Sequence, residues 1–155
     1  MALPLTEIND ASSYDKMPGI GPHPKGLHQW WARLPLPAAR AIILATRVDD
    51  PSSNPKYKNA QSEIKDKERE RIFNILKKIL VKSPHDNKES FELAHKEIME
   101  SIGEKVPVVC DPFCGGGSIL LEAQRLGLNT YGSDLNQVAT LITKITIHEK
   151  TQIHD

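Results

Sequence analysis

The run Val106-Pro107-Val108-Val109-Cys110-Asp111-Pro112-Phe113-Cys114-Gly115-Gly116-Gly117-Ser118, followed by Thr130-Tyr131-Gly132-Ser133-Asp134, decides the fold. Val106 to Cys110 is a short apolar run rich in β-branched residues, the pattern of a buried strand. A glycine loop follows it, and Ile119 to Leu126 then reads as a helix closed by Gly127. Thr130 to Ser133 is a second strand that reaches Asp134, and Asn136 can cap a further helix through about His148. Strand, loop, helix, strand, acid, helix is a βαβα unit, the pattern of an open parallel sheet in the α/β class.

Upstream, residues 1–26 are rich in Pro, Gly and polar groups and read as loop or extended arm. Ala38 to Val48 is an apolar helix with Pro37 suited to its first turn. Asp49 to Pro55 ends it. Residues 61–82 read as a long helix, with Ile72, Phe73, Leu76, Ile79 and Leu80 on one stripe. Its charged run, Lys65 to Arg71, reads as a solvated face that pairs with itself. A further helix over 88–102 places Phe91, Ala94, Ile98 and Ile102 on one side and stops at Gly103. His85 and His95 have no ligand-like partners in the sequence and are given no role. These patterns divide the chain into an N-terminal arm and helical region, 1–104, and the first βαβα unit, 105–155.

The totals narrow the class. The 155 residues carry 20 basic and 20 acidic side chains, so net charge alone does not call for a nucleic-acid partner. Cys110 and Cys114 are too few for a disulfide framework or a zinc site, and no metal ligand is assigned. No apolar run approaches the ~20 residues of a membrane span, and the N-terminus lacks the marks of a signal peptide. A cytoplasmic setting with no membrane partner is expected.

In a βαβ unit the loop after the first strand lies at the carboxyl edge of the sheet, where ligands bind. Its glycines let a ligand approach the backbone, and an acid ending the second strand can accept from both hydroxyls of a ribose. Asp134 has that place, so loop and acid point to a nucleoside-containing cofactor. The loop has no lysine and is no P-loop. The third glycine of a dinucleotide fingerprint begun at Gly115 would fall on Leu120, which counts against NAD. Asp111 would repel a pyrophosphate but suits a cofactor carrying positive charge. S-adenosyl-L-methionine, with its ammonium and sulfonium, meets that requirement.

Val109 to Ile119 resembles the first motif of amino-group methyltransferases, the Asp-Pro-Phe-x-Gly-x-Gly type, and Gly132-Ser133-Asp134-Leu135-Asn136 resembles their ribose-binding motif. The run from Gly21 through His28-Gln29-Trp30-Trp31-Ala32-Arg33 to Leu36 resembles the opening of large prokaryotic adenine-specific DNA methyltransferases. Those begin with a domain of unknown function and often carry a zinc ribbon further on. The resemblance covers nearly the whole chain. It implies a partial Rossmann-like class I methyltransferase core with a helical N-terminal extension. It places Asp111, Phe113, Gly115 and Gly117 around the methionine part of the cofactor, and Asp134 at the ribose. Cys114 and Gln137 stand where the family often has Ala and Pro, which leaves the ribose acid intact.

The implied parent reaction is methyl transfer to adenine N6 in DNA. Such enzymes carry an Asn/Asp-Pro-Pro-Tyr/Phe loop that holds the target amine, and no such tetrapeptide occurs here. The chain is therefore expected to have no catalytic residue of its own, and to be a truncated or split product or to act beside a second polypeptide that carries that loop. An RNA-directed methyltransferase fragment and a non-catalytic cofactor-binding or regulatory remnant are the alternatives. Trp30 and Trp31, being adjacent, are not expected to share a face of a helix or strand, so one should pack inward and the other elsewhere. Either the tryptophan segment anchors the arm to the sheet, or His28, Trp31 and Arg33 help to close the cofactor pocket. Arg33 and Arg40 could instead meet DNA phosphates.

Overall fold

The computed structural model describes residues 3–18, 23–26, 28–81, 86–103 and 106–147, and the backbone of 151–154. Gly21, Pro22 and Leu27 of the N-terminal run, His85, and the expected helix end at His148 lie outside the described residues. The first helix, α1 (Leu5–Lys16), corrects the expectation of loop throughout 1–26. Its twelve residues contain neither Gly nor Pro, and after Pro4 at its start no breaker occurs before Pro18. Ile8 is buried and Ala11 packs beside it, so tertiary contact stabilises a helix whose own sequence pattern is weak.

The next three helices lie close to where the sequence puts them. The second, α2 (Leu36–Arg47), has Pro37 in its first turn, where the missing N–H had no helical partner to lose. The third, α3 (Ser62–Val81), buries Ile72, Ile75, Leu76, Ile79 and Leu80, while Phe73 is only half-buried. Its charged run pairs locally. Arg69 bonds Asp66 and Asp50, and Arg71 bonds Glu68 and Glu97. The fourth, α4 (Lys88–Ile102), buries Phe91, Ala94 and Ile98 and ends at Gly103.

The second half alternates β1 (Val108–Asp111), α5 (Ser118–Arg125), β2 (Asn129–Ser133), α6 (Gln137–Thr146) and β3 (Thr151–His154). The sheet is parallel, in the order β1-β2-β3, with Val109 opposite Thr130 and Gly132 opposite Ile153. The third strand corrects the expectation of two. Thr151-Gln152-Ile153-His154 contains no apolar run, and its pairing with β2 is a long-range contact that a local pattern does not encode. The result is a mixed, helix-dominated structure with a small parallel sheet.

Successive right-handed crossovers in one direction put their helices on one face of the sheet. The packing agrees. A Cβ on Gly132 would lie 2.3 Å from Leu120 Cδ1 of α5, and Val109 and Thr130 are buried on the same side. On the opposite face Val108 and Cys110 are exposed. Among the described residues, β1 has no strand beyond it.

The helices and the sheet share one core. A continuous apolar cluster joins Ile8, Leu44, Leu76 and Ile98 to Val109, Ala123 and Leu128. Beneath α5, Arg40 is 4% exposed and Glu122 is fully enclosed, with Nε and Oε2 2.5 Å apart. Arg40 also donates to the carbonyl of Ile79 and stacks 5.0 Å over the Phe91 ring. Arg40 is thus inside the protein, which removes it as a contact to DNA phosphate. Among the described residues, no helix is long and apolar enough to cross a membrane.

Candidate cofactor site

Asp111 closes β1, and its Oδ1 accepts from the N–H of Phe113 at 3.2 Å. The chain then turns through the three glycines into α5. Gly115 and Gly117 have φ of +50° and +75°, the left-handed region that favours glycine. A Cβ on Gly115 would lie 2.8 Å from Trp30 Nε1, and one on Gly117 would lie 2.9 Å from Thr143 Oγ1. These glycines therefore admit two protein neighbours, the tryptophan segment and α6, where the sequence suggested room for a ligand.

Asp134 ties the loop to β2. Its Oδ2 accepts from the N–H of Gly115 at 2.9 Å, and its Oδ1 accepts from the N–H of Asn136 at 2.9 Å. Asn136 in turn caps α6, accepting from the N–H of Val138. The Thr143 hydroxyl donates to the carbonyl of Gly115 at 3.0 Å, and the N–H of Cys114 donates to the carbonyl of Ser133. The loop is thus fixed from the second strand and the last helix together. Each oxygen of Asp134 keeps acceptor capacity after these bonds.

The charges around the loop are partly desolvated. Burial pushes the Asp111 carboxyl above its usual range, the Phe113 N–H opposes this, and nearby Asp134 adds to the rise. Burial likewise raises the Cys114 thiol, against the Thr143 hydroxyl, so this buried cysteine is a packing residue. Desolvation lowers the Arg33 guanidinium, with Asp15 opposing.

Residues 28–35 form a cover over the loop. Trp30 and Trp31 stack, with ring centroids 4.4 Å apart and planes at 20°. One tryptophan packs inward and the other elsewhere, as their adjacency implied, and the rings still stack. Face alternation governs helices and strands, whereas residues 31–32 lie in a turn. Trp30 faces the glycines, and Trp31, 78% exposed, lies on it from outside. Arg33 Nη2 donates to the carbonyl of Gly116 at 2.8 Å. Its Nε and Nη1, and the hydroxyl of Ser118, are buried without a hydrogen-bond partner.

Cover and loop enclose a cavity of about 260 Å³ lined by Trp30, Arg33, Asp111, Phe113, Gly115 and Asp134, with Ser118 at its wall. Four of the expected site residues, Asp111, Phe113, Gly115 and Asp134, therefore come together. Gly117 instead packs on Thr143, while His28 and Trp31 are exposed and stand outside the cavity. Trp30 and Ser118 escaped the sequence reading. Two adjacent tryptophans do not declare which one faces inward, and Ser118 reads as an ordinary first-turn helix residue. A larger cavity, about 580 Å³, lies between α1 and α2. It contains none of the loop residues, and two of its polar groups, His23 and Asp15, pair with each other at 2.7 Å.

Two family models match the chain. Residues 2–75 match "Protein of unknown function (DUF1156)", and residues 87–154 match "D12 class N6 adenine-specific DNA methyltransferase". No curated protein and no solved structure matches. The order of the two regions is the one the sequence resemblance implied.

Proposed function

Starting from a DUF1156 region followed by a D12 class N6 adenine-specific DNA methyltransferase region, we propose that this chain is the S-adenosyl-L-methionine-binding portion of a DNA adenine-N6 methyltransferase. The observation that carries the reading is the cavity where the glycine loop of β1 meets the acid ending β2, with Asp134 within 2.9 Å of the Gly115 nitrogen. In a Rossmann-like core that is where a nucleoside cofactor lies. The residues fit the group. Asp134 has acceptor capacity left for the ribose hydroxyls, Asp111 offers a desolvated carboxylate to an ammonium, and the exposed Phe113 ring lies at the cavity mouth.

When bound, the cofactor supplies a methyl group on a sulfonium centre. The chain's part is to hold and orient it. The loop is braced by Asp134 and Thr143, so its backbone groups are in place before a ligand arrives, which lowers the ordering cost of binding. We assign residues 1–104 the cover and its supporting helices, and 105–155 the cofactor-binding edge. We assign none of these residues to the target adenine, because no Asn/Asp-Pro-Pro-aromatic tetrapeptide occurs among them. DNA is then a partner of the complete enzyme.

Calorimetry tests the reading. S-adenosyl-L-methionine or its demethylated product should bind more tightly than NAD or ATP. Asp134→Ala should weaken it by about 1.5–3 kcal/mol, the range for hydrogen bonds to a charged group. Tight NAD binding, or full affinity in Asp134→Ala, would refute it.

A further inference from the structure

The cavity contains a cation that the family matches do not assign. Arg33 comes from the cover segment, inside the stretch that matches the domain of unknown function, yet its guanidinium lies against the glycine loop of the other region. A Cβ on Gly116 would stand 2.8 Å from its Nε. Arg33 has five N–H donors, and among the described residues only its Nη2 meets an acceptor, the carbonyl of Gly116. Nε and Nη1 are buried with no partner, as is the hydroxyl of Ser118 in the first turn of α5, a residue only 5% exposed. Buried donors without acceptors are costly, and desolvated cationic ones more so, so their presence in the lining of one cavity calls for an acceptor from a ligand.

We propose that Arg33 and Ser118 form the subsite for the α-carboxylate at the amino-acid end of the cofactor. The sign of the surroundings selects the ligand. Asp111 and Asp134 line the same cavity and would repel a nucleotide polyphosphate or a DNA phosphate. With Asp134 left to the ribose, the Asp111 carboxylate and the Arg33 guanidinium on one small cavity complement a zwitterion, its ammonium toward Asp111 and its carboxylate toward Arg33. A guanidinium suits this because it binds a carboxylate through two parallel bonds. The start of α5 adds backbone N–H groups and the positive end of the helix dipole. The cover segment thereby reads the presence of the amino-acid end and closes the two regions on one ligand.

This inference rests on the proposed cofactor, and its test separates the two. The full chain is titrated in a calorimeter with S-adenosyl-L-methionine and with its decarboxylated form, which keeps the nucleoside, sulfonium and ammonium. The intact cofactor should bind about 10- to 100-fold more tightly, the span of a charged hydrogen-bonded pair. Arg33→Met should erase that difference by weakening only the intact cofactor, and Arg33→Lys should restore part of it. Ser118→Ala should narrow it less. Equal binding of the two ligands by the unmodified chain overturns the carboxylate subsite while leaving the cofactor reading standing, and needs no variant to fold. Binding of neither ligand overturns both. If Arg33→Met binds both ligands as before but loses affinity for a duplex oligonucleotide in an anisotropy titration, the cation serves DNA phosphate and the subsite is refuted.

Discussion

Two arginines from the N-terminal half reach into the second half, and they are treated in opposite ways. Arg40, on α2, meets Glu122 beneath α5, the Ile79 carbonyl and the Phe91 ring, all inside the shared core. Arg33, seven residues earlier in a segment without regular structure, presses on the glycine loop with two nitrogens unmatched. One junction is complete in the protein alone, and the other has donors to spare. A junction built for stability satisfies its polar groups, whereas one built for a ligand leaves acceptors or donors waiting.

The largest effect that would break this contrast is at Arg40. Arg40→Met removes the buried partner of Glu122 Oε2 and leaves the enclosed carboxylate with Arg125 on Oε1 alone, and loss of one partner of a buried pair costs up to about 3–5 kcal/mol. Urea unfolding should show that loss, and a change below about 1 kcal/mol would mean that the pair is not buried as described. Arg33→Met is the matching control. It deletes one bond to the Gly116 carbonyl together with two unmet donors, so stability without ligand should change by less than about 1 kcal/mol. A loss comparable to that at Arg40 would make Arg33 a structural residue.

The smallest effects come from pH, with opposite signs in the two regions. Arg69 holds the Asp50 carboxyl down at about 2, so its contribution is present above the ordinary aspartate range and is lost as pH falls toward 2. The pair is partly exposed, which limits the gain to under about 1 kcal/mol. Asp111 is raised, so its effect runs the other way. Stability is greater where it is protonated and declines as pH climbs through and above the ordinary aspartate range. Denaturation midpoints across acid pH should show Asp50→Asn flattening the low-pH decline and Asp111→Asn removing the loss at higher pH. If both variants move the curve in the same direction, the assigned environments are wrong.

The elements legible in the sequence were those bounded by strong local signals. Pro37, Gly103 and Gly127 mark helix ends, and the apolar periods of α3 and α4 are buried in the fold except at Phe73 and Ile102, which are half-buried. α1 was hidden because twelve helix-compatible residues stood beside a Pro/Gly-rich run whose composition dominated the window. β3 was hidden because four polar and β-branched residues become a strand only by pairing with β2. At the site, Asp111, Phe113, Gly115 and Asp134 were legible from motif and topology. The cover was less so. Which tryptophan turns inward, and that Arg33 meets the carbonyl of Gly116, depends on contacts across more than eighty residues of sequence.

That separation also has a bearing on timing. The apolar faces of α2, α3 and α4 find part of their cover only in Val109, Ala123, Leu126 and Leu128. A ribosome adding about 5–20 residues per second would leave those faces waiting several seconds between the emergence of Leu80 and that of Leu128. During that interval the N-terminal half carries exposed apolar surface and the Arg40 guanidinium lacks Glu122. The growing chain is then most open to chaperones, and to misassembly, just before its glycine loop takes shape.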